Sequence, residues 1–367
     1  MRKIKLYLKK FDWVIFSSVI LLACFGLIEI YSVALGQETL NLLNFQKQIF
    51  FIILGIILLF IFAFIDVHWI NSHSKYIYIL GVLLLVLVLL FGHTVRGTRG
   101  WFHLAGFSLQ PVEFIKIIMI IFLSRFFSRI GSGVKDFKAL FVSGVGALIL
   151  VGLVLLQPDF GSALILFSIW IFMLFVAGFP KKYFIILGAV LIVVSFVLWS
   201  FLFQDYQKNR ILTFLEPTNN SLSDGYNISQ AIIAVGSGGL TGRGVGFGSQ
   251  SQLKFLPEAQ NDFIFAVISE ELGFLGVSLI ITFFLIFFMR LFLNLKKINN
   301  DFGIFFILGS LGLIFVQMFI NIGMNVGIMP VVGISLPFIS YGGSAMLANF
   351  IIIGIIENII IKSKINY

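Results

Sequence analysis

Residues 263–290 read FIFAVISEELGFLGVSLIITFFLIFFMR, a run in which the charged side chains are Glu270, Glu271 and Arg290. About 20 apolar residues are enough for a helix to cross the roughly 30 Å hydrocarbon core of a bilayer. Inside lipid the backbone must satisfy its own hydrogen bonds, so a single run of this kind has to be helical. The stretch therefore predicts a transmembrane helix.

The rest of the chain repeats this pattern. Of its 367 residues, 59% are hydrophobic and 11% are charged, and the mean hydropathy is +1.08. Soluble domains carry about 25% charged residues, so lipid is the solvent for this chain. We predict an all-α fold, a polytopic membrane helical bundle that forms a single domain over residues 1–367 and has about ten transmembrane helices. The predicted runs are 13–34, 47–66, 76–92, 112–130, 139–157, 161–178, 182–202, 263–290, 303–326 and 343–361.

Lysine and arginine are concentrated in the segments that share a side with the N-terminus when the runs alternate across the membrane. Because cytoplasmic loops carry an excess of these residues, we expect both termini in the cytoplasm of a multi-pass cell-membrane protein. The net charge of +9 then reflects topology and attraction to anionic headgroups. The basic residues are scattered, which argues against nucleic-acid binding. The single Cys24 excludes an internal disulfide and a cysteine-based metal site.

Three segments on the outer side are candidates for function: 93–110, 203–262 and 327–343. The second is a long extracytoplasmic loop between the seventh and eighth predicted helices, and long loops in compact domains are commonly functional. Within it, residues 228–235 are apolar but too short to span, which favours an interfacial or re-entrant helix. The glycine run 236–248 lacks the ending of a phosphate-binding P-loop. It is either a tightly turning loop or a close approach of the backbone to a polar ligand.

Asp262 lies where the long loop meets the apolar run 263–290. An ionisable side chain at the edge of the hydrocarbon region is costly unless it has a partner or a function. One interpretation is a carboxylate that caps the following helix. The other is a general base whose proton affinity is raised in a low-dielectric boundary.

Other polar residues leave similar alternatives open. Lys116 follows Glu113 by one helical turn, so the two form either a neutralised pair or part of an anion site on the outer side. Asp159 follows Pro158 and is predicted to cap the next helix. Glu270 and Glu271 lie deeper along their helix and are predicted to be paired structurally. The basic residues expected on the outer side also include Arg96, Arg99, Arg210, Arg243 and Lys254.

Several ordered motifs together resemble the SEDS family, named for shape, elongation, division and sporulation. They are Gln110-Pro-x-Glu113-x-x-Lys116, Gln157-Pro-Asp159-x-Gly161, Leu256-Pro-Glu258 followed by Asn261-Asp262-Phe-Ile-Phe265, Glu270-Glu271-Leu-Gly273, and Gly333-x-x-Leu-Pro337-x-x-Ser340-Tyr-Gly-Gly-Ser344. The resemblance covers essentially the whole chain. Residues 248–253, 205–210 and 330–333 are more similar to the RodA-like elongation branch than to the FtsW-like division branch.

The resemblance implies a peptidoglycan glycosyltransferase that polymerises lipid II, inverts the anomeric carbon and releases undecaprenyl pyrophosphate. Asp262 would be the catalytic acid/base. The substrate-binding residues that the resemblance implies are Arg99, Gln110, Glu113, Lys116, Asp159, Arg210, Arg243, Lys254, Glu258 and Ser340. The alternatives are a lipid II flippase or transporter, an FtsW-like division polymerase, or a non-catalytic scaffold for wall synthesis.

The expected partner is a class B penicillin-binding transpeptidase. No cofactor is required by the pattern. A divalent cation, magnesium or manganese, would help to neutralise the diphosphate, but the sequence shows no dedicated set of ligands for one.

Overall fold

The structure, a computed structural model, is a helical membrane bundle and describes residues 7–36, 41–95, 97–104, 107–131, 136–197, 200 and 224–365. Each predicted apolar run coincides with a long helix. The helices are α1 Trp13–Leu35, α2 Leu43–Phe64, α3 Val67–Phe91, α4 Pro111–Ile130, α5 Phe137–Leu155, α6 Phe160–Val176, α7 Lys181–Val197, α8 Asp224–Ser237, α9 Ser249–Gln252, α10 Ile264–Leu295, α11 Asp301–Asn325 and α12 Gly343–Ile365.

Seven helices in the described part of the chain are long and apolar enough to cross a membrane: α1, α2, α3, α5, α10, α11 and α12. Helix α6 is apolar but shorter. Helix α4 carries Glu113, Lys116, Arg125 and Arg129, which lower its mean hydropathy although most of it is buried. The polytopic helical fold is confirmed.

The largest difference in helix bounds is at α3, which begins at Val67 rather than near residue 76. Asp66 caps this earlier start, because its side chain accepts a hydrogen bond from the N–H of His68 (2.7 Å). The first turns are polar and hide the helix from a hydropathy reading. A capping side chain therefore marks the true beginning of the helix.

The segment after α3 contains strands that the sequence did not predict. Strands β1 His93–Val95, β2 Thr98–Leu104 and β3 Phe107–Leu109 form a small antiparallel sheet in the order β1-β2-β3. His93 pairs with Trp101, and Phe102 pairs with Leu109. The sheet leads directly into Pro111, the first residue of α4, a position that suits proline because its missing N–H has no partner there.

Helix α12 lies at the centre of the bundle, and 94% of its most apolar 18-residue stretch is buried inside the protein. Helix α7 is at the opposite extreme, since Ile185 is 72% and Ile192 is 73% exposed. A helix that is apolar on all sides is stable either in a protein core or in lipid. Here α12 provides the core and α7 faces lipid.

The start of α1 and the end of α12 meet at one face of the bundle. The Asp12 carboxylate accepts from Arg290 Nε (2.9 Å) and from Asn294 Nδ2 (2.8 Å), and Lys364 Nζ lies 3.7 Å away. Burial alone would raise the pKa of Asp12, but the hydrogen bonds and charges of Arg290, Asn294 and Lys364 outweigh burial and hold that pKa below its ordinary value. This face lies at the far end of α10 from Asp262.

Candidate active site around Asp262

Asp262 lies in a turn immediately before α10, whose first helical residue is Ile264. The residue in the cap position is Phe263, which makes no side-chain cap bond. A cap comes instead from α11, because Asn325 Oδ1 accepts from the N–H of Ala266 (3.1 Å). The helix start therefore draws on a distant asparagine rather than on a side chain of its own segment.

Two asparagines hold Asp262 by its main chain. Asn321 Nδ2 and Asn325 Nδ2 each donate to the Asp262 carbonyl oxygen at 3.0 Å. Asn321 also donates to the carbonyl of Ile334 (2.7 Å). Both asparagines are fully buried on α11, so the Asp262 backbone is fixed to a rigid helix.

The loop between α11 and α12, residues 326–342, lies along the other side of this segment. Ser340 Oγ donates to the carbonyl of Asn261 (2.6 Å) and accepts from the N–H of Leu336 (2.8 Å). The N–H of Tyr341 donates to the carbonyl of Gln260 (2.8 Å). Ser340, predicted as substrate-binding, thus uses its hydroxyl to position the residue that precedes Asp262.

The Asp262 carboxylate is half-buried and lies beside Gly333. A Cβ atom on Gly333 would be 3.7 Å from Asp262 Oδ2, and the φ of Gly333 is 69°. Glycine tolerates this backbone conformation and keeps the bulk of a side chain away from the carboxylate. One side of the carboxylate therefore faces backbone.

Three of the four non-glycine residues with positive φ in the described ranges lie in the two loops around Asp262: Lys254 (59°), Glu258 (53°) and Phe338 (65°). The fourth, Pro158 (29°), precedes the cap residue Asp159. Such conformations are uncommon for residues with a Cβ and are concentrated at functional sites. The Glu258 carboxylate accepts from Asn261 Nδ2 (2.6 Å), so it shapes the turn that presents Asp262.

The Gln157-Pro-Asp159 motif lies near Asp262, because the helix that follows it contacts the loop that contains Gly333. A Cβ atom on Gly161 would be 2.3 Å from the carbonyl oxygen of Val332, so α6 begins directly against that loop. Asp159 caps α6 as predicted, accepting from the N–H of Ser162 (2.9 Å). Gln110 Nε2 also donates to Asp159 (3.4 Å), which brings two predicted site residues together.

Lys116 and Glu113 form an ion pair inside the bundle. Lys116 Nζ is 2.7 Å from Glu113 Oε1, and their side chains are 4% and 10% exposed. The pairing interpretation is confirmed. A buried pair of this kind is held because breaking it would leave one charge uncompensated. The anion-site role of Lys116 stays a prediction.

The predicted basic residues lie in different surroundings. The Arg99 guanidinium donates to the carbonyls of Gly92 (3.1 Å) and Leu90 (2.9 Å) and so ties the sheet to the end of α3. Arg243 is exposed and donates to Ser249 Oγ (2.7 Å). Lys254 is exposed. Arg96 and Arg210 lie outside the described residues.

The glycine run packs into a break in α10 instead of forming a free surface turn. At Gly273 the backbone of α10 is not helical (φ 64°, ψ −162°). The N–H groups of Arg243 and Gly244 donate to the carbonyls of Glu270 (3.0 Å) and Glu271 (2.9 Å). The run therefore satisfies backbone groups that the break would otherwise leave unpaired. The close approach predicted for these glycines is to protein backbone.

Glu270 and Glu271 are both fully buried, and the hydrogen bonds to their carboxylates come from residues 246–252 and from Ser32 of α1. Glu270 accepts from the N–H groups of Gln250 (2.9 Å) and Ser251 (3.2 Å). Glu271 accepts from Ser32 Oγ (2.5 Å) and from the N–H of Gly246 (3.0 Å). Their structural role is as predicted, but their partners are neutral donors.

The sequence alone did not identify Asn321, Asn325 and Gly333 as parts of the site. A signal for the asparagines was present, because Asn321 and Asn325 are one turn apart in an otherwise apolar run. Polar side chains in a transmembrane helix generally face the bundle interior and pair there. Gly333 belongs to one of the ordered motifs, but its position beside Asp262 depends on a contact between distant segments.

Comparison with known proteins relates this architecture to cell-wall synthesis. Residues 12–365 match the model of the FtsW, RodA and SpoVE family, described as cell cycle proteins. The peptidoglycan glycosyltransferase MrdB of Escherichia coli K12 is 37% identical over 321 residues, which cover 86% of this chain and 85% of MrdB.

Solved structures of similar proteins share the fold. A chain from a peptidoglycan synthase complex that coordinates polymerization and crosslinking has a TM-score of 0.82 and 26% identity, covering 96% of this chain and 98% of that one. The rod shape determining protein RodA of Thermus thermophilus has a TM-score of 0.71 and 26% identity, covering 95% and 96%.

Proposed function

Because the chain belongs to the family of FtsW, RodA and SpoVE cell cycle proteins, we propose that it is a peptidoglycan glycosyltransferase of the elongation branch. It joins lipid II disaccharide units into glycan strands and releases undecaprenyl pyrophosphate. The likeness to MrdB and to RodA supports elongation and rod shape as its role. The observation that carries the proposal is Asp262, a half-buried carboxylate whose backbone is fixed by α11 and by the loop 326–342.

In this reaction Asp262 acts as the general base. It takes the proton from the 4-hydroxyl of the acceptor N-acetylglucosamine as that oxygen attacks the anomeric carbon of the donor N-acetylmuramic acid. The bond from that carbon to the diphosphate oxygen breaks, and the configuration inverts. A positioned base commonly contributes about 10²–10⁴-fold to rate, and fixing its backbone limits the geometries that the carboxylate samples.

The leaving group is a diphosphate, which needs positive charge as it departs. Arg243 and Lys254 are exposed cations in the segment that leads to Asp262, and we assign them to this task. Lipid II is already activated, so the reaction requires no nucleotide. Backbone N–H groups of the glycine run donate to carbonyls of α10, which is consistent with a reaction that has no nucleotide site.

We place the Asp262 end of the bundle on the extracytoplasmic side and both termini in the cytoplasm. The clustering of Arg290, Lys362 and Lys364 at the opposite end supports this orientation, since cytoplasmic ends of membrane helices are rich in lysine and arginine. The sugar units of lipid II would then reach Asp262 outside the cytoplasm.

A magnesium or manganese ion accompanying the diphosphate remains a proposal. The residues of the described ranges do not fit a resident metal ion, because they contain no group of three or more His, Cys, Asp or Glu side chains that could hold one. Any such ion would arrive with the substrate.

We also propose a class B penicillin-binding transpeptidase as the partner. The similarity to a chain from a peptidoglycan synthase complex supports this. A complex of this protein with the transpeptidase would let new glycan strands be crosslinked as they form.

The decisive experiment gives purified protein labelled lipid II, with and without the transpeptidase, and measures glycan strands. Asp262→Asn is expected to lower the polymerisation rate by about 10²–10⁴-fold while its unfolding temperature stays close to that of wild type. The matched control is Asp301→Asn, which makes the same change at the opposite end of α11 and should leave polymerisation intact.

The same assay separates the alternative functions. Scrambling of labelled lipid II between leaflets without any polymer would favour a flippase. Normal polymer from a well-folded Asp262→Asn protein would refute the catalytic role. A scaffold predicts that Asp262→Ala still supports growth of a strain depleted of the wild-type protein.

A further inference from the structure

Glu29 is a buried acid that the mechanism does not use. It lies within the transmembrane helix α1 and is fully buried (0% exposed). Neither of its carboxylate oxygens has a hydrogen-bond donor among the described residues. A buried ionised carboxylate with no donor is very unfavourable, so this group needs another explanation.

The group that faces Glu29 is Glu271 of α10. Ser32, one turn after Glu29 on α1, donates to Glu271 Oε2 at 2.5 Å. Three further donors reach Glu271: the N–H of Gly246 (3.0 Å), Gln252 Nε2 (3.2 Å) and Ser251 Oγ (3.3 Å). One acid thus has four donors and its neighbour has none among the described residues.

The number of hydrogen-bond donors around each acid indicates which of the two carries the negative charge. A carboxylate with several donors is stabilised in its ionised form, whereas one in an apolar site beside another acid is stabilised by keeping its proton. We propose that Glu29 is protonated and donates its O–H to the ionised Glu271, forming a carboxyl–carboxylate pair that helps to hold residues 246–252 in place.

No cation of the described residues takes the place of this proton. The charged side chains on α2, on α10, on the glycine run and on residues 253–262, which contact α1 through Gln260, are Lys47, Glu270, Glu271, Arg290, Arg243, Lys254, Glu258 and Asp262. Lys254 is exposed, whereas Glu29 is fully buried. Of these, Glu271 is the group whose charge acts on Glu29. Arg290 pairs with Asp12 at the opposite face, and Arg243 bonds to Ser249. Glu270 is engaged by the backbone of residues 250 and 251.

The pair is connected to the catalytic segment in two ways, and this step rests on the proposed function. Glu271 accepts hydrogen bonds from Gly246 and Gln252, and Gln252 lies ten residues before Asp262 in the same loop. The carbonyl of Ile30, next to Glu29, accepts from Gln260 Nε2 (3.4 Å). Glu29 is therefore a positioning residue for Asp262, and it acts through a proton.

The proton gives the stability of the protein a predictable pH dependence. Above about pH 4.3, a glutamate in the unfolded chain is ionised, while Glu29 in the folded protein keeps its proton. The folded state then binds one more proton, so stability falls as pH rises until that proton is lost. One proton changes the unfolding equilibrium by at most about tenfold per pH unit.

Glu29→Gln is the matched variant, because an amide N–H₂ can still donate to Glu271 but cannot titrate. We expect the unfolding temperature of wild type in detergent or nanodiscs to fall more between pH 6 and 9 than that of Glu29→Gln. Infrared difference spectra should show a protonated carboxyl C=O band in wild type that Glu29→Gln lacks. Should Glu29→Gln fail to fold, Glu29→Leu provides the same two comparisons.

In the polymerisation assay, wild type should lose activity at alkaline pH, where the pair loses its proton and the two carboxylates repel. Glu29→Gln should keep its activity there. Identical pH profiles of stability and an unchanged carboxyl band in the two proteins would overturn the proposal. If the stability and infrared differences are found but the wild-type protein makes no polymer, the proposed function fails and the proton pair stands.

Discussion

Asp262 and Glu271 lie close together in sequence, at the entrance to α10 and on its first turns, yet they differ in burial and in which of their atoms α11 and the glycine run contact. Glu271 is fully buried, and four donors reach its carboxylate oxygens. Asp262 is half-buried, and Asn321 and Asn325 donate hydrogen bonds to its main-chain carbonyl. The hydrogen bonds to Glu271 fix its carboxylate directly, whereas those from Asn321 and Asn325 fix the main chain of Asp262 and thereby set where its side chain begins.

The largest effect expected is at Gly273, which breaks α10 beside Glu271. A Cβ atom there would lie 2.3 Å from the backbone nitrogen of Gly242, and the backbone angles (φ 64°, ψ −162°) belong to a region essentially restricted to glycine. We expect Gly273→Ala to prevent accumulation of folded protein, because both the angle and the contact with the glycine run would be lost. Membrane-fraction abundance and gel filtration in detergent measure this.

Gly236→Ala is the control for that change. A Cβ atom on Gly236 would meet nothing within 4 Å, and the residue lies in α8, where alanine is the better helix former. This variant should accumulate like wild type. If both variants accumulate normally, the glycine run does not depend on the break in α10, and the structural half of the comparison is wrong.

Glu271→Leu tests the acid itself. The substitution removes the acceptor of the Ser32 hydroxyl, whereas Gly246, Ser251 and Gln252 each keep a second acceptor, at Ser32 Oγ, the Gly248 carbonyl and the Ser32 carbonyl. A buried donor without a partner costs about 1–3 kcal/mol, and we expect a loss of this size in the free energy of unfolding. Denaturant titration of the purified protein would show it as a lower midpoint.

The contrast with Asp262 sharpens this prediction. Asp262→Asn should change stability by less than about 1 kcal/mol while it removes polymerisation. Glu271→Leu should remove activity only in proportion to the folded protein it loses. If Glu271→Leu proved as stable as wild type, its four hydrogen bonds would carry little energy, and the distinction between the two acids would not hold.

The sequence was sufficient for the features that depend on local composition. Apolar runs located the transmembrane helices, and the junction of a polar loop with such a run singled out Asp262. Pro158-Asp159 predicted a helix cap that the structure confirms. In each case the relevant physics acts within one helix or one turn.

Features that depend on contacts between distant segments were not accessible. Nothing local to Gly273 indicates that residues 239–244 would complete the break in α10. The cap supplied by Asn325 joins two helices that are far apart in sequence. The sheet at 93–109 was also missed, because its strands are only three to seven residues long and lie in a segment that reads as a loop.

The smallest expected effect concerns the hydrogen bonds that fix the backbone next to Asp262. Ser340→Ala removes the hydroxyl that donates to the carbonyl of Asn261 and accepts from the N–H of Leu336, at an expected cost of about 1–2 kcal/mol in stability. Because the freed Asn261 carbonyl lets the next residue shift, polymerisation should fall by about tenfold, more than the stability change alone accounts for.

Ser310→Ala provides the reference for that effect. Ser310 is equally buried, but its hydroxyl donates only to the carbonyl of Phe306 within its own helix, a bond that competes with the helix rather than linking two segments. We expect Ser310→Ala to be close to wild type in both stability and rate. If Ser340→Ala and Ser310→Ala reduced polymerisation equally, the loss would reflect general loosening of the bundle, and the idea that Asp262 is positioned through its backbone would have to be abandoned. A loss confined to Ser340→Ala, at matched amounts of folded protein, would instead tie the rate to the geometry of the Asn261–Asp262 peptide.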